Sequence, residues 1–356
     1  MSIEINLFSI VGILAFSIAL LLGILFVLNR MQNRKANYFM GFFLLSLALE
    51  VFELLFEDVF MQHNLNLKMI QSSLLTFPLL YFYVKQSINL PRRGFEYILF
   101  APVVVTNLFW FYRTGSDFPE VIKYFEYIFN SGLLVYILLL VKEHRRNLAN
   151  YYSEFEHKTM GWIKTIVYIF LGFHMFWLLE DLIVFKFESL LVYFAFVSQL
   201  LTLFTIIWIG HFGFTQPEIF NTMHFQNLLE NSGGTESENE NSAFDSELFQ
   251  SIEETILNEK LFVNAELNLR MLSDQLHIKE KELSRLINQN TDANFYAFIN
   301  SLRLEEFKRL LKSEKSEQLS ILGLAMEAGF KSKSSFYEFF KKSEGITPNQ
   351  YKQSLQ

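Results

Sequence analysis

Seven apolar windows follow one another through the first 214 residues, and they constrain the chain more than any other feature. They run roughly over residues 5–28, 36–56, 69–84, 95–112, 121–141, 161–184 and 190–214. About 20 mostly apolar residues suffice to cross a bilayer. A single window of this kind is compatible with a buried core helix. Seven in series, joined by short polar loops, predict a bundle of seven transmembrane helices over residues 1–214. The third window is the most polar, with Gln71, Ser72, Ser73 and Thr76, and Pro78 is expected to kink it. The first is longer than the ~7–15 residues of a signal-peptide apolar region and has no basic stretch before it, so it is expected to be a retained span.

Orientation follows from the positive charges, which favour the cytoplasmic side. The first, third and fifth loops carry Arg30, Arg34, Lys35, Lys85, Arg92, Arg93, Lys142, Arg145, Arg146 and Lys158. The even loops carry Lys68, Arg113 and Lys186, with Lys123 near the start of the fifth window. The expectation is a multi-pass protein of the inner (cytoplasmic) membrane, surrounded by lipid, with its N-terminus outside. An odd number of crossings delivers the C-terminal part to the cytoplasm.

Ionisable groups inside membrane spans are costly and point to function. Glu50, Glu53 and Glu57 sit on one face of the second window, near its outer end. His174, Glu180 and Asp181 sit in the sixth. Together they form a candidate sensor cavity for a signal ligand of unknown identity. The alternative is that they cap helix ends or pair with Arg113 and Lys123. The chain has no cysteine, which excludes disulfides, thiolate nucleophiles and cysteine-based zinc sites. No catalytic set, metal site or cofactor is expected.

After Thr215 the composition changes to that of a water-soluble protein. Residues 230–259 hold nine acids and no base, whereas residues 265–356 hold 14 bases and 12 acids. The overall charge of −7 is therefore concentrated in a linker, residues 215–262. Pro217 should end the seventh helix, and the Gly/Ser/Glu-rich run after it reads as a solvated spacer. Phe244, Leu248, Phe249, Ile252, Ile256 and Leu257 then recur at helical spacing. They predict an amphipathic helix packed on the last domain, with a homodimer contact left open.

Residues 263–356 read as helix throughout, so the fold class is all-α. "NLRMLSDQLHIKEKELSRLIN" places a short helix, a tight turn near His277 and a second helix from about Lys279. "NFYAFINSLRLEEFKRLLK" is a longer helix. "LSILGLAMEAGFKSKSSFYEFFKK" repeats the helix-turn-helix pattern, with Gly329 where the turn needs positive φ and Ser332 as the helix cap. Burying Phe336, Phe339 and Phe340 leaves Lys333, Ser334, Tyr337, Glu338 and Lys341 outward.

The stretch Leu269–Tyr351, about a quarter of the chain, resembles the DNA-binding domain of AraC/XylS-family transcription regulators. The segment "AMEAGFKSKSSFYEFFKKSEGITPNQY" carries most of the likeness. The resemblance implies double-stranded DNA as partner and base-facing roles for Lys281, Ser284, Arg285, Lys333, Ser334, Tyr337 and Glu338. Lys331, Ser335, Lys341 and Lys342 are the phosphate candidates. This chain departs from the family pattern at Lys279, Ser273, Asp292, Phe307 and Lys352. The expected function is a one-component, membrane-embedded, sequence-specific transcription regulator rather than an enzyme. The competing reading is a membrane transporter or membrane enzyme with an appended regulatory DNA-binding domain.

Overall fold

The computed structural model describes residues 7–29, 34–62, 72–88, 90–91, 93–112, 120–154, 160–184, 191–215 and 242–355. Among these residues the regular elements are fifteen α-helices and two short 3-10 turns. The chain divides into two compact units. One comprises Met1–Lys142 with Met160–Gln226, and the other Glu143–Thr159 with Asn227–Gln356.

The first unit contains α1 (Leu7–Leu28), α2 (Arg34–Gln62), α3 (Ser73–Ser87), α4 (Ala101–Tyr112, preceded by the 3-10 turn Gly94–Phe100), α6 (Gly161–Val184) and α7 (Leu191–Thr215). It also holds α5 (Glu120–Leu148) as far as Lys142. Among the described residues, six stretches are long and apolar enough to cross a membrane. Helix α3 is not one of them. Its 15 residues reach about 22 Å at ~1.5 Å per residue, short of a ~30 Å hydrocarbon core; the residues before Ser72 lie outside the described ones.

Helix α3 is the centre of this unit. Leu74, Phe77, Leu80, Phe82 and Val84 are all buried, and the helix runs on through Pro78. That position explains its polar residues. The Thr76 hydroxyl lies 3.0 Å from that of Ser46 and also bonds Glu50. Around Phe82 the rings of Phe39, Tyr97 and Phe100 stack. Lys85 and Glu96, both nearly buried, pair with each other.

Helix α1 turns a stripe of small residues inward: Gly12, Ala15, Ala19 and Gly23. A Cβ on Gly23 would lie 3.1 Å from the Gly41 carbonyl oxygen, and one on Gly41 would lie 2.8 Å from that of Gly23. The α1 and α2 backbones therefore touch, the close packing that small residues permit between apolar helices. The outward faces carry large aliphatic and aromatic side chains, among them Ile13, Leu21, Val105, Ile128, Leu139 and Ile207. An apolar surface on this scale marks contact with lipid or another apolar partner.

The second unit contains α8 (Ser242–Asn258), α9 (Leu269–Leu276), α10 (Glu280–Thr291), α11 (Phe295–Leu311), α12 (Lys315–Gln318), α13 (Ile321–Glu327), α14 (Lys333–Glu344) and α15 (Pro348–Ser354). Two apolar cores share α11. Its first half gives Phe295, Phe298 and Ile299 to a core with Leu272, Leu283, Leu286 and Ile287. Its second half gives Leu304, Phe307 and Leu310 to a core with Leu324, Phe330, Phe336 and Phe340. Helix α8 covers the first core with Phe249, Ile252 and Ile256. Leu257, expected on that apolar face, is instead 45% exposed, because it follows Ile256 by one residue and points off the stripe. The side chain of Phe244 is outside the described residues.

Arg303 lies between the two halves of α11 and is fully buried. Its guanidinium donates to the carbonyl oxygens of Phe262 (2.7 Å) and Asn264 (2.8 Å), to Asn300 Oδ1 (3.1 Å) and to Ser153 Oγ (3.0 Å). Burial pushes its pKa down to about 10, so it remains charged at neutral pH. Ser153 belongs to the segment that follows α5, and this segment is built into the second unit. The Tyr151 carbonyl accepts from Leu269 N (2.8 Å) and the Ala149 carbonyl accepts from Tyr296 N (2.9 Å). Each donor opens a helix, α9 or α11, whose first-turn amides have no partner within the helix. An isolated antiparallel bridge pairs Tyr152 with Asn268.

Candidate nucleic-acid interface

Helices α9 and α10 form one helix-turn-helix and α13 and α14 a second. The first turn is made by His277 in the left-handed region (φ 55°) after an Asn268-capped helix. Lys279, at the N-cap of α10, makes no side-chain cap bond. Asp292 closes α10 at φ 50°, a conformation that Asp tolerates better than most side chains. The second turn is made by Gly329 at φ 102°, where a Cβ would meet the Phe262 carbonyl oxygen at 2.6 Å. Only glycine fits there. Ser332 caps α14 by accepting from Ser335 N at 3.1 Å.

The exposed face of α10 carries Lys281, Arg285 and Asn288, with Ser284 half-buried beside them. On α14, Lys333, Ser334, Glu338, Lys341 and Lys342 are exposed and Tyr337 is half-buried. The Lys333 ammonium sits 5.5 Å from the centre of the Tyr337 ring. Ser335 differs from the expectation of a phosphate contact. It is buried, and its hydroxyl donates to the Ser332 carbonyl at 3.1 Å, because it faces the core one position after two exposed residues.

Three of these side chains already have partners of opposite charge. Arg285 forms a two-pronged pair with Asp245 of α8, Nη1–Oδ2 at 2.5 Å and Nη2–Oδ1 at 3.0 Å. The pairing holds the Asp245 carboxyl below its ordinary value and raises the guanidinium above its own. Glu338 accepts from Arg145 Nη2 at 3.0 Å. Lys331 pairs with Glu266 at 2.8 Å. The fork that Arg285 offers Asp245 is the one an arginine uses to read guanine, so the two uses exclude each other. Sequence reasoning missed all three partners.

In the first unit, Glu50 and His174 line one cavity, whereas Glu53 is not in its lining. The side chains of Glu57, Glu180 and Asp181 are outside the described residues. Glu126, Asn130 and Gln199, which the sequence reading did not single out, join the lining. The amides do not interrupt an apolar window enough to attract notice, and Glu126 sits near the charged start of α5.

A protein-family profile described as "Helix-turn-helix domain" matches residues 272–354. Over 89 residues the chain is 34% identical to a Bacillus subtilis (strain 168) protein described as the uncharacterized HTH-type transcriptional regulator YobQ. That alignment covers 25% of this chain and 36% of the relative, so the chain spans about a third of the length of the curated relative it matches. No solved structure matches the chain. The paired helix-turn-helix geometry and these likenesses agree: the C-terminal domain of this chain is that of an AraC-family transcription regulator.

Proposed function

We propose that the chain is a membrane-embedded, one-component transcription regulator whose apolar half senses a signal and whose C-terminal half reads double-stranded DNA. The observation that carries this reading is the presence, in one chain, of an AraC-type domain and six helices that turn large apolar side chains outward. Arg285 is the first candidate for base reading, as arginine contacts guanine through two hydrogen bonds. Lys341 and Lys342, in the last turn of α14, suit phosphate and would set affinity and salt dependence.

Helix α11 joins the two reading heads. Its 17 residues span about 25 Å, less than the ~34 Å between successive major-groove turns. Engaging both heads on one face of the duplex therefore requires a modest bend. The chain crosses between the units three times, and two of these crossings are candidate routes of control. One is the linker at Pro217, outside the described residues. The other is α5, whose last turn belongs to the second unit and carries Arg145 to Glu338. The test is a topology reporter fused at the C-terminus together with a chromosome-wide binding map and a circular-permutation gel shift. A tail reported outside the cytoplasm refutes the membrane reading. An unbent operator with both heads protected refutes the connector argument.

A further inference from the structure

We propose that the cavity of the first unit binds a small organic cation, a protonated amine carrying an apolar or aromatic group. The proposal rests on the sensing role given above and names the chemistry of its signal. The cavity has a volume of about 310 Å³, at the small end of the range for small-molecule sites.

Its charge is of one sign. Glu50 of α2 and Glu126 of α5 both line it, and among the described residues the lining contains no lysine or arginine. Lys123, one turn before Glu126, supplies some opposite charge from outside the lining. The remaining polar groups are rich in acceptors. His174 Nδ1 lies 2.8 Å from the Phe170 carbonyl. Since a carbonyl only accepts, Nδ1 carries the proton and Nε2 is left as an acceptor in the neutral ring. Two buried amides add to the set. Gln199 is 2% exposed, and neither its oxygen nor its nitrogen has a hydrogen-bond partner. Asn130, 1% exposed, has an unpartnered Oδ1. Buried polar side-chain atoms are seldom left this way, and here they border a cavity that also holds two carboxylates. The Gln199 amide has room only because residue 12 is glycine, where a Cβ would come within 2.1 Å of Nε2.

The walls complete the argument. Phe77, Tyr127, Phe170 and Trp177 surround the polar groups, and aromatic faces attract ammonium groups. Among the described residues no cluster of three or more His, Asp or Glu is placed to hold a metal ion. Among the described residues an anion finds no partner in the charged side chains of the lining, while a neutral apolar molecule leaves the Gln199 amide and Asn130 Oδ1 without partners and the carboxylates with hydroxyl donors alone, Thr76 on Glu50 and Ser73 on Glu126. An ammonium that donates to Glu50, Glu126 and the Gln199 oxygen satisfies them together.

The ammonium can come from an aqueous amine or from an ethanolamine lipid headgroup. Full-length protein in phosphatidylglycerol nanodiscs is titrated with 2-phenylethylamine, with its neutral analogue 2-phenylethanol and with the anion phenylacetate, following thermal stability. The expected result is a saturable stabilisation by the amine alone, lost in Glu50→Gln and in Glu126→Gln. Discs containing phosphatidylethanolamine that stabilise the wild type by themselves, and less so Glu50→Gln, identify a lipid source and also support the proposal. Equal responses to amine and alcohol, or no saturable response to amine or ethanolamine lipid, overturn it. Those comparisons use wild-type protein and stand even where a carboxylate variant fails to fold. DNA binding is measured in the same discs. If it persists while no cation binds, only the cavity assignment falls; if it is absent, the regulator reading falls.

Discussion

Three glycines of the second unit test whether the turn before α14 depends on backbone contact or on φ alone. Gly323 lies inside α13, and a Cβ there meets nothing closer than 3.4 Å. Replacing it by alanine should stabilise the helix by up to ~1 kcal/mol through propensity. Gly345 closes α14 at φ 75° with nothing within 4 Å of an added Cβ. Alanine there costs only the left-handed strain, about 1–2 kcal/mol. Gly329, at φ 102°, adds contacts at 2.6 Å with the Phe262 oxygen and 2.8 Å with Val263 Cα. Both are backbone atoms, held by the Arg303 bond to Phe262 and unable to rotate away. Overpacking of this kind costs about 1–3 kcal/mol more, for a total of roughly 2–5 kcal/mol. Hydrogen exchange of the α14 amides in the full-length protein reads these values directly where exchange follows equilibrium opening. At ~1.4 kcal/mol per decade, Gly329→Ala should lower protection about thirty- to several-thousand-fold. Gly323→Ala should not lower it. If Gly329→Ala and Gly345→Ala agree within a factor of three, the close approach of Gly329 to the Phe262 turn contributes nothing and the argument fails.

Two further outcomes follow from the interior and surface charges. Arg303→Met keeps the bulk but leaves the Phe262 carbonyl and Asn300 Oδ1 without their donor, while the Asn264 carbonyl keeps Leu267 N at 3.1 Å. At about 1–3 kcal/mol per orphaned group, partly offset by relief of a buried charge, the unit should lose roughly 2–4 kcal/mol. Exchange should then rise in residues 149–153 as well as in α11; a change confined to α11 counts against the shared anchor. Glu306 is held at a pKa of about 2 by Arg309 first, then by Lys260, against the opposing effect of burial. A depressed carboxylate stabilises the fold fully above its ordinary value near 4.5 and loses that contribution as pH falls toward 2. Melting temperature against pH should therefore fall less steeply between pH 5 and 2 for Glu306→Gln than for wild type.

The legible parts of this chain are those set by local chemistry. The run "NFYAFINSLRLEEFKRLLK" reads as one long helix, and α11 occupies Phe295–Leu311 within it. Gly329 and Ser332 follow from what a turn and a helix start require, and both play those parts. The illegible parts depend on tertiary placement of groups that every residue carries. Residues 149 and 151 act through backbone carbonyls, which no motif can advertise. Arg303 stands in the run "RLEEFKRLL" beside four exposed or half-exposed charged residues, and nothing local marks it as the buried one. The cavity amides, Asn130 and Gln199, fall inside apolar windows that tolerate one amide each without losing their hydropathy.

The two pairs over the recognition helices respond to nucleic acid with opposite sign. Asp245 brings negative charge to the face proposed to meet DNA, so on that proposal α8 and DNA compete for Arg285. Arg145 brings positive charge, and after losing Glu338 it remains a cation beside a polyanion. On the proposed reading, breaking the Asp245 pair frees Arg285 for DNA, whereas breaking the Arg145 pair removes no competitor. Asp245→Asn separates the two. Exposed pairs contribute little on their own, so the gain in affinity should be a few-fold at low salt. Its dependence on the base is the sharper reading. Arg285 is assigned to a guanine edge, so the gain should be larger on an operator that carries the guanine than on one in which that base pair is changed. Fluorescence anisotropy on the two duplexes at one salt concentration would measure it. An equal gain on both would mean that Asp245 and DNA never contend for the same guanidinium.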